Sequence, residues 1–317
     1  MKKLTILLII LTLVSFGAAG CKEGRQHDNE KRRLRIVTTL FPLFDFAGKV
    51  GGERVEVVLL LPPGVEPHDF EPKPKDVVTI QKADLFVYTG RAMEPWVQTI
   101  LKSIDSKDLV VVDTSKGITL RSADEDHDGH RHGGKGHGPD MNSDPHIWLD
   151  FGNAQAMVGT IAEELSKRDP KASDYYARNA SAYIDQLRKL DEAYRTGLAG
   201  CKTRFFLHGG HYAFNYLAQR YGLTYVSLRG VSPNAEPSPA HLVGMVNKMK
   251  QYQVSHIFYE ELASPRLAET IARETGANLL PLSPGHNVTT EQMEQRVSFI
   301  DIMKTNLTML QKGLQCK

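Results

Sequence analysis

From residue 34 onward, short unbroken apolar runs alternate with stretches of helical period. LRIVTT (34–39), VEVVLLL (55–61), DLFVYTG (84–90) and LVVVDT (109–114) are too short for helices and rich in β-branched residues. Such runs read as strands buried on both faces, the pattern of a parallel sheet. The second half repeats the theme with RFFLH (204–208), LTYVSL (223–228), SHIFYEE (255–261) and ANLLPL (277–282). Strands that alternate with helices predict an α/β fold of two lobes, each a parallel β-sheet flanked by helices.

Between the halves lies KASDYYARNASAYIDQLRKLDEAYRTGLAGC. Tyr176, Ala180, Tyr183, Leu187, Leu190 and Tyr194 recur at spacings of three and four, which places them on one helix face. Neither Gly nor Pro interrupts residues 172–196. At 1.5 Å per residue such a helix runs about 40 Å, enough to cross both lobes. A flexible linker would be rich in Gly, Ser or Pro. The expected organisation is an N-terminal lobe over 34–170, a long rigid bridging helix over 171–199 with limited hinge motion, and a C-terminal lobe over 200–317.

The N-terminus changes the picture by setting the compartment. MKKLTILLIILTLVSFGAAGC has a charged start, an apolar run short for a bilayer span and small residues after it. Residues 1–20 read as a secretory signal peptide. Ala18-Ala19-Gly20 runs into Cys21, which resembles a bacterial lipobox with Cys21 lipidated, although Ala18 stands where Leu is commoner. Residues 21–33 then form a polar lipidated tether. The chain carries 39 Lys and Arg against 37 Asp and Glu. Loss of the signal removes two of the lysines, and a near-neutral body argues against nucleic-acid binding. On the oxidising side of a membrane, the remaining Cys201 and Cys316 are expected to pair as a disulfide, with two unpaired thiols as the alternative.

Candidate chemistry centres on histidine. HDGHRHGGKGHG (127–138) holds His127, His130, His132 and His137 in a Gly-rich loop, 124–140, with no apolar residue to pack. Composition alone reads it as an auxiliary collector of metal or as an incidental solvated loop. Four other histidines are placed differently. His68 follows the second strand and His211 the fifth; His286 follows the eighth, and His146 sits in DPHIWLD ahead of a helix. Ligands of parallel sheets bind beyond the carboxyl ends of the strands, and converging imidazoles suit Zn(II). Pro67, Pro145 and Pro284 stiffen three of these loops, and Asp69, Asp144 and Asp150 are candidate acceptors for an imidazole N–H. Gly285 would let the loop 283–289 move for release.

The stretches GVEPHDFEPKP, DPHIWLD, HYAFNYLAQRYGL, FYEELASPRLAETIARETGA and FIDIMKTNLTMLQKGLQC, with the lipobox and the His-rich loop, span nearly the whole mature chain in order. Together they resemble the substrate-binding lipoproteins of zinc and manganese ABC importers. The resemblance implies two α/β lobes around a rigid helix, with a metal buried between them. It also implies an exported, lipid-anchored monomer that hands its metal to a membrane permease driven by an ATPase. Carried over, His68, His146 and His211 take the first three ligand positions and His286 the fourth. His208 competes for the third place, and Glu261 and Asn287 for the fourth. An imidazole-rich set favours Zn(II) over Mn(II).

Two other readings compete. A zinc hydrolase would need an open coordination position and a base such as Glu66, Asp69 or Glu261, but HExxH is absent. A surface adhesin would use metal only to hold its lobes together. The expectation is a binding protein rather than an enzyme.

Overall fold

The computed structural model describes residues 33–123, 143–231 and 237–317. The signal segment, Cys21 and the His-rich run with His127, His130, His132 and His137 lie outside the described residues. No helix among the described residues is long and apolar enough to cross a membrane.

Each of the eight apolar runs forms a strand. In the N-terminal lobe these are β1 (Leu34–Thr38), β2 (Val55–Leu59), β3 (Leu85–Tyr88) and β4 (Val110–Asp113). In the C-terminal lobe they are β5 (Phe205–His208), β6 (Thr224–Ser227), β7 (His256–Tyr259) and β8 (Asn278–Pro281). The sheets have the same order, β2-β1-β3-β4 and β6-β5-β7-β8, and every pairing is parallel. The strand order reverses between β1 and β3 and again between β5 and β7, so each lobe has one switch point at its strands' carboxyl ends.

Helices α1 (Phe41–Gly51), α2 (Pro74–Gln81), α3 (Val97–Leu101) and α4 (Phe151–Arg168) belong to the first lobe. Helices α6 (Asn215–Tyr221), α7 (Pro239–Gln251), α8 (Arg266–Thr275), α9 (Thr290–Glu294) and α10 (Phe299–Gly313) follow in the second. Between them α5 runs from Ser173 to Gly197, 25 residues, or about 37 Å. It buries Tyr176, Ala180, Tyr183, Leu187, Leu190 and Tyr194, the face its periodicity predicts.

Both lobes grip that helix. Asn179 donates to the Val50 carbonyl and Tyr183 to Asp45 in the first lobe. Tyr194 donates to the Met303 carbonyl and Gln311 to the Gly197 carbonyl in the second. Arg220 of α6 makes two bonds to Asp191 of α5, at 2.8 and 2.6 Å, and a third to Asp150 at the start of α4, at 2.7 Å. One continuous apolar core carries Phe46, Trp148, Phe151, Tyr194, Phe206 and Phe299 from lobe to lobe. Wide opening of the cleft would expose that core, so the rigid bridge has a packing basis. Cys201 and Cys316 are joined as a disulfide, which pins the end of α10 to the start of the second lobe.

Candidate metal centre

The site is assembled from loops at the carboxyl ends of strands in both lobes. After β2, Pro67 starts a single helical turn, Pro67–Asp69, that carries His68; Glu66 caps it by accepting the His68 amide. His146 stands at the head of the turn Ile147–Leu149, ahead of α4. His211 follows β5 by three residues and lies in the loop before α6. His286 sits in the loop after β8. His146, His211 and His286 are fully buried, and His68 is partly exposed at the mouth.

Three Nε2 atoms meet across the lobes. His146 Nε2 lies 3.0 Å from His211 Nε2 and 3.2 Å from His68 Nε2. The other nitrogens of two rings are occupied: His146 Nδ1 faces Asp144 Oδ1 at 2.8 Å, and His211 Nδ1 faces Glu260 Oε2 at 2.9 Å. An ionised carboxylate only accepts, so on a neutral ring Nδ1 carries the proton and Nε2 presents a lone pair. Two lone pairs at 3.0 Å repel unless a proton or a cation lies between them. Tetrahedral Zn–N bonds of about 2.0–2.1 Å set neighbouring nitrogens about 3.3 Å apart, close to the spacing seen. His68, His146 and His211 form one group of converging donor atoms, and His211, Glu260 and His286 an adjoining one.

The electrostatics differ between the lobes. Burial, then the neighbouring His211, holds the pKa of His68 and of His146 well below the ordinary value, so both rings stay neutral. Burial works against charging His211 too, yet the charge and hydrogen bond of Glu260 raise its pKa. Burial likewise opposes the charge on Glu260, but His211, with His286 and His208 behind it, holds that carboxyl well below the usual range. Burial lowers His286 to about 4, with Glu260 pulling the other way. Asp144 is pushed up to about 7 by burial, against the His146 amide and other donors.

Several expectations meet a different geometry. His208 ends β5 and is buried, but its Nδ1 accepts the Gly210 amide and its ring packs on Phe214; it belongs to neither group. Glu261 is exposed and lines a separate crevice with Pro281, Ser283 and Asp301. The carboxylate at the centre is its neighbour Glu260, which sequence reasoning missed. Asn287 reaches away from the imidazoles, donating to the Pro62 and Val65 carbonyls at 2.8 Å each. Among the candidate acceptors, Asp144 holds His146, whereas Asp150 caps α4 and pairs with Arg220. Asp69 is exposed.

The loop 283–289 is also more firmly held than Gly285 suggests. The His286 carbonyl accepts from the Phe41 amide and the Val288 carbonyl from Gly64. Trp148 Nε1 donates to the Pro284 carbonyl at 2.8 Å. With the two bonds from Asn287, this loop is a strap from the second lobe fastened onto the first.

Comparison with known families and structures agrees with this architecture. Residues 36–313 match the family described as ZnuA, zinc-uptake complex component A, periplasmic. The high-affinity zinc uptake system protein ZnuA of Bacillus subtilis is 40% identical over 291 residues, covering 92% of this chain and 90% of that protein. The zinc-binding lipoprotein AdcA of Streptococcus pneumoniae is 37% identical over 313 residues, 98% of this chain; the chain spans only 61% of AdcA's length. The Zn(II)-bound ZnuA-like domain of that AdcA superposes with a TM-score of 0.74 at 36% identity, covering 89% of this chain and 99% of the domain.

Proposed function

The chain belongs to the ZnuA family of zinc-uptake components, and from that premise we propose that it captures Zn(II) outside the cytoplasm and delivers it to an ABC importer. The observation that carries the reading is the convergence of three imidazole Nε2 atoms at 3.0–3.2 Å, drawn from both lobes. We assign His68, His146 and His211 as the core ligands and His286 as the fourth. Four imidazoles offer nitrogen only, which suits Zn(II) better than Mn(II). A fourth protein ligand closes the coordination sphere and leaves no position for an activated water, so the site is one of capture and release. The partners are a membrane permease and its ATPase, and Cys21 would carry the lipid that keeps the protein at the membrane. The histidines at 127, 130, 132 and 137 are read as a weak auxiliary collector.

The test is metal content and affinity of the purified mature protein, with Zn(II) and Mn(II) in direct competition. One tight zinc equivalent and much weaker manganese are expected; equal affinities would overturn the zinc assignment. His286→Ala is expected to weaken binding less than His211→Ala. An unchanged affinity for His286→Ala would give the fourth position to water or a carboxylate.

A further inference from the structure

Glu260 stands immediately after β7, beside the switch point of the second lobe. It is almost completely buried. Oε2 faces His211 Nδ1 at 2.9 Å, and Oε1 has no hydrogen-bond partner, with His286 Nε2 at 3.5 Å as its nearest ion-pair contact. The strand end is fixed by the Gly209 amide on the Phe258 carbonyl, and the Ala263 amide bonds the Glu260 carbonyl. Gly210 leaves the carboxylate its place: a Cβ there would stand 2.7 Å from Glu260 Oε2 and 2.6 Å from the His208 ring. Such confinement gives the carboxyl group one address, at Nδ1 of His211.

We infer that Glu260 is a positioning residue of the metal centre, which accepts the Nδ1 proton of His211 and thereby commits His211 Nε2 to the metal. This rests on the zinc-capture reading above. A neutral imidazole carries its proton on one nitrogen or the other, and the hydrogen bond at one decides the state of the second. Without Glu260 the proton has a better place. On His211 Nε2 it would point at His146 Nε2, a ready acceptor 3.0 Å away. The two rings would then satisfy each other, and the metal would have to break that bond and move the proton before it could bind. While His211 is neutral, Glu260 holds that alternative closed, so that Nε2 offers its lone pair to a cation. Asp144 plays the matching part for His146 from the other lobe.

The experiment compares wild type, Glu260→Ala and Glu260→Gln by zinc affinity and by nitrogen-15 spectra of the imidazoles. In wild type, His211 is expected to carry its proton on Nδ1 with and without zinc. Glu260→Ala should lower zinc affinity by about 10–100-fold, the usual cost of losing a partner behind a ligand. Its zinc-free spectrum should show the proton moved to Nε2. Glu260→Gln keeps an acceptor oxygen and should recover most of the affinity, which general damage to the fold would not do. An affinity in Glu260→Ala equal to wild type overturns the inference. So does a Glu260→Gln as weak as Glu260→Ala, or zinc bound through His211 Nδ1. Should Glu260→Ala fail to fold, the wild-type spectrum decides alone. Should wild type bind no zinc, the functional reading fails, and the zinc-free tautomer still decides the role of Glu260.

Discussion

The two lobes share a strand order and treat the same crevice in opposite ways. Where the first sheet's order reverses, beyond β1 and β3, the space is filled by Glu94. Its carboxylate accepts from Thr39 Oγ1 at 2.5 Å, from the Thr89 amide at 3.2 Å and from the Gly90 amide at 3.0 Å. Where the second sheet's order reverses, beyond β5 and β7, the carboxylate is Glu260, and its neighbours are His208, His211 and His286. Both groups are buried, yet burial raises Glu94 to about 7 while the histidines hold Glu260 far lower. One lobe has sealed its crevice with its own side chain. The other keeps a charge there behind His211, a proposed ligand. The ligands proposed for the first lobe, His68 and His146, come instead from the turn after β2 and the segment ahead of α4. The lesson is that a switch point supplies a crevice, and side chains choose whether it holds a ligand or a plug.

The largest effect should come from the ligand proposed in the second lobe. His211→Ala is expected to weaken zinc binding by about 1,000-fold or more, upward of ~4 kcal/mol. Titration against a competing chelator measures it, and a loss of only a few-fold would mean the first lobe's histidines hold the metal by themselves.

Next is the disulfide, which staples the second lobe alone. Cys201 and Cys316 are 115 residues apart. Its loss in Cys201→Ser should cost about 2–5 kcal/mol of stability. Denaturant unfolding would show it, with zinc affinity unchanged because neither cysteine belongs to the converging donor groups. Two thiols titrating in unreduced, unfolded wild type would remove the staple from the comparison.

Glu94→Ala tests the plug. Stripping a buried carboxylate from its donors should cost about 2–3 kcal/mol of stability. Zinc affinity at matched foldedness should stay put. A fall in affinity as large as that of Glu260→Ala would erase the distinction between plug and positioning group.

Acid should sharpen the difference between ligands. A raised pKa means that His211 takes up a proton before the ordinary value of 6.5 is reached on acidification, whereas His68 and His146, with lowered values, stay neutral. Zinc must displace that proton, so affinity should drop by up to about tenfold per pH unit as the pH falls through that raised value. An affinity independent of pH between 5 and 7.5 would place the protonation elsewhere. The smallest effect is expected from removing residues 124–138: the tight equivalent should remain, and only weak additional zinc should disappear in equilibrium dialysis.

The sequence by itself determined the strands, the bridge and the loops that carry histidine. Eight apolar runs became eight strands because a short β-branched run has few other stable uses inside a sheet. The tyrosine and leucine face of α5 was legible because a period of 3.6 over seven turns is hard to produce by chance. His68 and His211 stood out by their place after strands, and His68 and His146 by the prolines beside them. What stayed hidden was which of two adjacent glutamates turns inward. Glu260 and Glu261 both follow β7, equivalent in composition and opposite in fate. Only the packing of β7 beside β5, with the bare backbone of Gly209 and Gly210 opposite, sends Glu260 to His211 and leaves Glu261 in solvent. The same holds for the loop 283–289, where Gly285 suggests freedom. Its bonds to Phe41, Pro62, Gly64, Val65 and Trp148 join residues more than a hundred positions away, and no local pattern encodes a partner that only the folded chain brings near.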